Sequence, residues 1–92
     1  MITALVLINA DRRRIPATAE ALLAIEGVEE VFSVTGEYDL ITVLRLTNHE
    51  QLAQVVTERM ASIDSITQTQ TVIAFRCYSR ADVEQGFNIG AD

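Results

Sequence analysis

The segment ITALVLI, residues 2–8, limits the possible folds more than any other stretch of the chain. Its β-branched and aliphatic residues, uninterrupted by glycine or proline, predict a strand. Because successive side chains of a strand point to opposite faces, Ala4, Val6 and Ile8 would share one face, and Leu5 and Leu7 the other. Both faces are therefore largely apolar, which is typical of a strand that is covered on both sides.

A second segment, 38–46, has the same two-faced apolar character. Three leucines, Leu40, Leu44 and Leu46, would lie on one side of this strand, and Ile41 and Val43 on the other. Further strands are expected over 28–36 and 65–78, and the first strand over 1–9. Residues 28–36 and 38–46 are so close in sequence that they must form an antiparallel hairpin.

Helical periodicity predicts two helices, over 15–26 and 47–64. Pro16 suits the first position of the first helix, Gly27 suits the position just past its end, and Asn48 with Gln51 is close to a capping box for the second. The first helix has a narrow predicted apolar stripe of Ala19, Leu22 and Leu23. The second has a longer one of Leu52, Val55, Val56, Met60 and Ile63.

The resulting order, βαββαβ, is that of the α+β ferredoxin-like fold. Right-handed crossovers place both helices on one face of a four-stranded antiparallel sheet. Two helices cover only one of the two apolar sheet faces, and 49% of the residues are hydrophobic. The simplest cover for the second face is the same face of another copy, so we expect a homodimer formed sheet to sheet.

Charge and cysteine content exclude several classes of function. The net charge is −6 and the seven basic residues are all arginine, so binding of nucleic acid by this chain alone is not expected. Cys77 is the only cysteine, which leaves no internal disulfide and no CxxC metal pair. No apolar run approaches the roughly 20 residues of a membrane span. These features predict a cytoplasmic protein without membrane association.

Three features of the sequence are considered as metal-binding, catalytic or contact sites. His49 is the only histidine, and no second histidine or cysteine lies at ligand spacing, so neither a metal nor a cofactor is expected. A nucleophilic Cys77 would need a base, and since His49 is the only imidazole available, catalysis there is not expected. The run Arg12-Arg13-Arg14 is interpreted as a solvated loop, the alternative being contact with acidic neighbours in an assembly.

The hairpin turn Gly36-Glu37-Tyr38-Asp39 carries the most specific signal. A carboxylate at Asp39 can hold an ammonium group, while free backbone N–H groups near Gly36 and hydroxyls can hold a carboxylate. Thr69 and Thr71 alternate along the last strand and offer such hydroxyls. These groups together match the two ends of a free amino acid. The alternative is that they are ordinary turn and strand residues.

Two stretches resemble one known family. VTGEYDLITVLRL is similar to the V-T-G-x-x-D turn and following strand of the Lrp/AsnC family, and ITQTQTVIAF to its fourth strand with a T-x-T pattern. The resemblance covers residues 1–78, the effector-binding and oligomerisation (RAM) domain, and leaves 79–92 as a C-terminal tail. It implies that the matching ligand-binding residues are Gly36, Glu37, Tyr38, Asp39, Thr69 and Thr71.

The resemblance further implies sheet-to-sheet dimers, octameric rings of four dimers, and amino-acid effectors bound between adjacent dimers. Full-length members of the family carry a helix-turn-helix DNA-binding domain before this one, whereas Met1 here opens directly on the first strand. We therefore expect a stand-alone form, non-enzymatic, that modulates transcription by assembling with full-length Lrp/AsnC relatives.

Two other classes share this element order. A dimeric α+β-barrel enzyme, such as a small monooxygenase, is the alternative function, but such enzymes aim polar or aromatic residues into a pocket between helices and sheet, and only 5% of this chain is aromatic. An ACT-type regulatory domain binds amino acids near a glycine-containing loop after its first strand. The corresponding segment here, NADRRRIP, has no glycine.

Overall fold

The computed structural model describes residues 1–81 and contains one four-stranded antiparallel sheet. Its strands are β1 (Ile2–Ala10), β2 (Val28–Ser33), β3 (Leu40–Leu46) and β4 (Ile66–Ile73), in the spatial order β2-β3-β1-β4. At the middle of the sheet, Val6 of β1 lies between Thr42 of β3 and Thr71 of β4. This topology confirms the predicted α+β ferredoxin-like plan.

Two helical regions connect the strands. A 3₁₀ turn (Arg12–Arg14) leads into α1 (Ile15–Leu23), and α2 (His49–Gln54) continues as a π-helical segment (Val55–Met60). Asn48 caps α2 as predicted, because its Oδ1 accepts a hydrogen bond of 2.8 Å from Gln51 N. No helix within residues 1–81 is long and apolar enough to cross a membrane.

The core lies between the helices and one face of the sheet. From the sheet, Ala4, Val6, Ile8, Leu40 and Leu44 are fully buried. The helical residues that meet them are Leu22, Leu52, Val55 and Met60. Both helical regions therefore cover the same face, as the fold class predicts.

The opposite sheet face, called the helix-free face below, is also apolar. Strand register places Leu5 beside Val43 and Val72, and pairs Phe32 with Ile41. The side chains of this face, which also include Leu7, are exposed or only half-buried in the single chain. The two-faced character predicted for β1 and β3 is confirmed, and no helix or strand of residues 1–81 covers the helix-free face.

The first helix differs from the prediction in its end and in its buried stripe. It ends at Leu23, and its buried residues are Thr18 and Leu22, whereas Leu23 is exposed. The prediction counted apolar positions only and missed Thr18. That hydroxyl is buried because it donates to a backbone carbonyl of the preceding turn at 2.7 Å and shares a hydrogen bond with Ser65 Oγ.

Several strand ends were also predicted wrongly. The last strand was expected to run to residue 78, but β4 ends at Ile73, whose partner in β1 is Ala4. A final hydrogen bond of 2.8 Å joins Ala74 N to Thr3 O. The expected hairpin strands 28–36 and 38–46 are shorter, since a loop occupies 34–39. Most of the predicted tail, 79–92, lies outside the described residues.

Candidate functional site

The loop between β2 and β3, residues 34–39, is closed by its own backbone. Val34 N donates to Asp39 O at 3.0 Å, and Asp39 N donates across to Ile8 O of β1 at 2.9 Å. Gly36 lies at the tip with φ of +108°, a conformation that side-chain-bearing residues rarely adopt. A Cβ there would meet nothing within 4 Å, so backbone conformation, and not lack of space, requires the glycine.

The carboxylate of Asp39 joins this loop to the end of β1. Its Oδ2 accepts a hydrogen bond of 2.9 Å from Ala10 N, and its Oδ1 accepts one of 3.3 Å from Arg12 Nε. The side chain is only 16% exposed. Asp39 is therefore more than a residue that favours turns: it anchors the loop to its neighbouring strand and pairs with a cation.

Arg12 belongs to the 3₁₀ turn that leaves β1, and Asp11 holds that turn in shape. Asp11 Oδ1 accepts from Arg13 N at 3.0 Å, which is the largest cause lowering the pKa of Asp11 below its ordinary value of 3.8. Arg13 and Arg14 direct their guanidinium groups to Asp11. Of the three adjacent arginines, only Arg12 pairs with Asp39 of the β2–β3 loop.

These two loops form an open cleft of about 370 Å³ at one end of the sheet. Its lining residues come from the 3₁₀ turn, the start of α1, the end of β2 and the β2–β3 loop: Arg12, Ile15, Ser33, Val34, Thr35, Gly36, Tyr38 and Asp39. A ligand here meets a cation, a carboxylate and apolar side chains. Such a mixture of apolar wall and a few polar groups is typical of small-molecule sites.

Three of the predicted turn residues, Gly36, Tyr38 and Asp39, line this cleft, and Glu37 lies beside them, exposed. The hydroxyl of Tyr38 hydrogen-bonds Gln70 Oε1 of β4. Gln70 pairs with Leu7, so Tyr38 reaches the helix-free face of the sheet. Sequence reasoning missed Arg12 as a member of the cleft, because no local pattern distinguishes it from the two arginines that follow.

Thr69 and Thr71 lie elsewhere in the single chain. Register places them opposite Ile8 and Val6, so both project to the helix side of β4, and both are exposed. Thr69 borders a second, smaller hollow of about 170 Å³ beside Met60. Neither threonine lines the cleft at the β2–β3 loop, so one copy alone does not unite the predicted set.

His49 and Cys77 are both exposed. Within residues 1–81, no group of three or more histidine, cysteine, aspartate or glutamate side chains is placed to hold a metal ion.

The Lrp/AsnC ligand binding domain is the family whose model matches this chain, over residues 3–83. The chain is a member of the Lrp/AsnC family. This Lrp/AsnC domain is similar to the protein TTHA0845 from Thermus thermophilus, with 45% identity and a TM-score of 0.81; the match covers 87% of this chain and 100% of that one. The uncharacterized HTH-type transcriptional regulator PH1916 of Pyrococcus horikoshii is 37% identical over 57 residues.

That match covers 62% of this Lrp/AsnC domain but only 38% of PH1916, so the matched segment spans well under half the length of this curated relative. A third comparison concerns the transcriptional regulator NMB0573 of Neisseria meningitidis, solved in complex with L-methionine. At 15% identity and a TM-score of 0.78, covering 86% of this chain and 53% of that one, it shows a shared fold. PH1916 and NMB0573 are both named as transcriptional regulators.

Proposed function

We propose that this Lrp/AsnC domain is a non-enzymatic module that binds a free amino acid and assembles with further copies. The observation that carries the proposal is the cleft at the β2–β3 loop, where a carboxylate and a cation meet beside an exposed glycine backbone. The complex of NMB0573 with L-methionine supports the ligand class, since that protein has the same fold.

In this proposal Asp39 receives the α-ammonium group. Among residues 1–81, each carboxylate oxygen of Asp39 accepts one hydrogen bond, and a carboxylate offers about four acceptor positions, so the carboxylate can accept further bonds from a ligand. Gly36 contributes its backbone N–H to the ligand carboxylate; no acceptor for that N–H lies among residues 1–81. Glu37 and Tyr38 contribute to the choice of amino acid.

Thr69 and Thr71 join the site from a neighbouring copy. Unlike Thr67, whose hydroxyl donates to Asn9 O at 3.1 Å, neither makes a side-chain hydrogen bond within residues 1–81. Both residues are exposed and their side chains project on the same side of β4, which suits a polar ligand held between two copies. Amino-acid binding would then be linked to assembly.

Assembly starts from a homodimer through the helix-free face. Apolar side chains from all four strands lie on this face, with Leu5, Phe32 and Val72 the most exposed. Covering such a surface is favourable at about 25 cal/mol per Å² of apolar area. Four such dimers would form an octameric ring, with effector sites where adjacent dimers meet.

A role in transcription would pass through a full-length relative. The net charge of −6 disfavours direct contact with nucleic acid, while the relatives are HTH-type regulators more than twice as long as the matched segment. Co-assembly through the same interfaces would let this domain alter a relative's oligomer. The pure protein should therefore give no salt-sensitive retardation of DNA in a gel shift.

The proposal is tested by a thermal-shift screen against the twenty L-amino acids, followed by calorimetric titration of each compound that raises the melting temperature. We expect at least one to bind saturably, and at roughly 100 times its dissociation constant to add about 2.7 kcal/mol to the unfolding free energy. The D-enantiomer serves as the control and should give a smaller shift. If no amino acid binds, the proposed function is wrong.

A further inference from the structure

We propose that Arg12 binds the α-carboxylate of the amino acid, so that the Arg12–Asp39 ion pair recognises both charges of the free zwitterion. This inference rests on the amino-acid-binding function proposed above and states which residue recognises each end of the ligand. It predicts that the ligands are free α-amino acids whose carboxylate is unmodified. Carboxamides, and analogues without the amine, should bind poorly.

The geometry of Arg12 leaves it able to bind an anion. Its Nε donates to Asp39 Oδ1 at 3.3 Å, while the side chain is 85% exposed and lines the cleft. The two terminal nitrogens of the guanidinium have no acceptor among residues 1–81. These nitrogens carry four of the five N–H donors of arginine, in the planar arrangement that matches a carboxylate.

Both members of the pair are held in place before any ligand arrives. Asp39 is fixed by the hydrogen bond of 2.9 Å from Ala10 N. The turn that carries Arg12 is fixed by Asp11, whose side chain accepts from Arg13 N and whose carbonyl accepts from Arg14 N at 2.9 Å. Ordering a flexible side chain on binding is costly, and this arrangement reduces that cost for Arg12.

Charge complementarity explains why the pair is better than either residue alone. Asp39 and Arg12 largely neutralise each other, so a ligand with one net charge would leave a charge unmatched in the cleft. A zwitterion laid antiparallel to the pair puts its carboxylate beside Arg12 and its ammonium beside Asp39. The four charges then alternate in sign, and every contact is a charge-assisted hydrogen bond.

A competing arrangement makes the opposite prediction. If Arg12 merely paired with Asp39 until the ligand's ammonium group displaced it, then removing Arg12 would free Asp39 and tighten binding of the amino acid. If Arg12 binds the carboxylate, its removal weakens binding. The direction of the change therefore separates a binding residue from a competitor.

The test compares Arg12→Gln with Arg13→Gln by calorimetric titration with the amino acid that gives the largest thermal shift and with its α-carboxamide. Both variants lose one positive charge from the same turn, but Arg13, 90% exposed, pairs with Asp11 and does not line the cleft. We expect Arg12→Gln to weaken binding of the amino acid about tenfold, a difference of about 1.4 kcal/mol, and Arg13→Gln to leave it near that of the wild type.

The carboxamide supplies a readout that a loss of folding would not reproduce. The wild type should bind it about tenfold more weakly than the acid, and Arg12→Gln should bind acid and amide nearly alike, as expected for two groups in direct contact. Equal affinities in the two arginine variants, or tighter binding by Arg12→Gln, would overturn this inference alone. Failure of the wild type to bind any amino acid would overturn the proposed function and this inference with it.

Discussion

Replacing Leu5 with glutamate should dissociate the homodimer that we propose forms through the helix-free face. Leu5 lies in the central strand β1, between Val43 and Val72, and is 36% exposed in the single chain. In an isologous interface the same residue occurs on both sides, so each substitution acts twice. The dimer is therefore far more sensitive to this change than the folded chain.

The magnitude follows from the exposed fraction. Complete burial of a leucine contributes about 1.5–3 kcal/mol, so covering the remaining third of two copies contributes about 1–2 kcal/mol. Two glutamates at the same place would instead lose their hydration, at a cost of several kcal/mol each. A total of about 4 kcal/mol or more raises the dimer dissociation constant roughly a thousandfold or more.

Sedimentation velocity at low micromolar concentration measures the effect, with circular dichroism to verify folding. Leu23→Glu is the matched control, because Leu23 is 52% exposed but lies on α1, away from the helix-free face. We expect wild type and Leu23→Glu to sediment as dimers or larger assemblies, and Leu5→Glu as a folded monomer. If Leu5→Glu does not fold, Val72→Glu on the edge strand β4 should likewise sediment as a folded monomer. A Leu5→Glu protein that sediments like the wild type would refute the reasoning.

Three further outcomes are expected. Thr42→Val should raise the unfolding free energy by about 1 kcal/mol, since the Thr42 hydroxyl is buried and has no hydrogen-bond partner among residues 1–81; a lower melting temperature would contradict this. Gly36→Ala should cost about 1 kcal/mol, or roughly 4–8 °C in melting temperature, through its φ of +108° alone; an unchanged melting temperature would argue against strain at the loop tip. Because the folded-state pKa of Asp11 is lowered, its capping contribution is complete above its ordinary value of 3.8 and is lost as the pH falls through the folded pKa. An NMR titration should place the Asp11 midpoint below 3.8, and a midpoint at or above it would contradict the capping geometry.

Local patterns in the sequence predicted much of the fold. The alternation around Val6 predicted a strand with two apolar faces, and Asn48 predicted where the second helical region begins, because both signals depend on neighbours in sequence. The π-helical segment Val55–Met60 was not predicted, since the apolar stripe of the second helix is equally compatible with an α-helix. Thr18 was missed because its burial depends on Ser65, 47 residues away.

The candidate site was predicted only in part, because some of its contacts join residues that are distant in sequence. The β2–β3 loop is a local feature, and the sequence predicted its glycine and its carboxylate. The partners of that carboxylate are distant: Ala10 and Arg12 lie 29 and 27 residues from Asp39. Only the pairing of β1 with β3 brings them together, so a single sequence without the register cannot predict that Arg12 enters the cleft.

The most direct test of the central claim, that the β2–β3 loop binds an amino acid, is calorimetric titration of Asp39→Asn beside the wild type. Asparagine keeps one oxygen as an acceptor for Ala10 N–H but replaces the oxygen that accepts from Arg12 Nε with an NH₂ group, so it removes the charge together with the ion pair to Arg12. Loss of a charge-assisted hydrogen bond of about 1.5–3 kcal/mol predicts binding weakened roughly ten- to a hundredfold. Asp64→Asn, at an exposed aspartate that pairs with Arg14 outside the cleft, should bind like the wild type. Equal affinity in Asp39→Asn and the wild type would contradict the account and leave the loop as a structural turn.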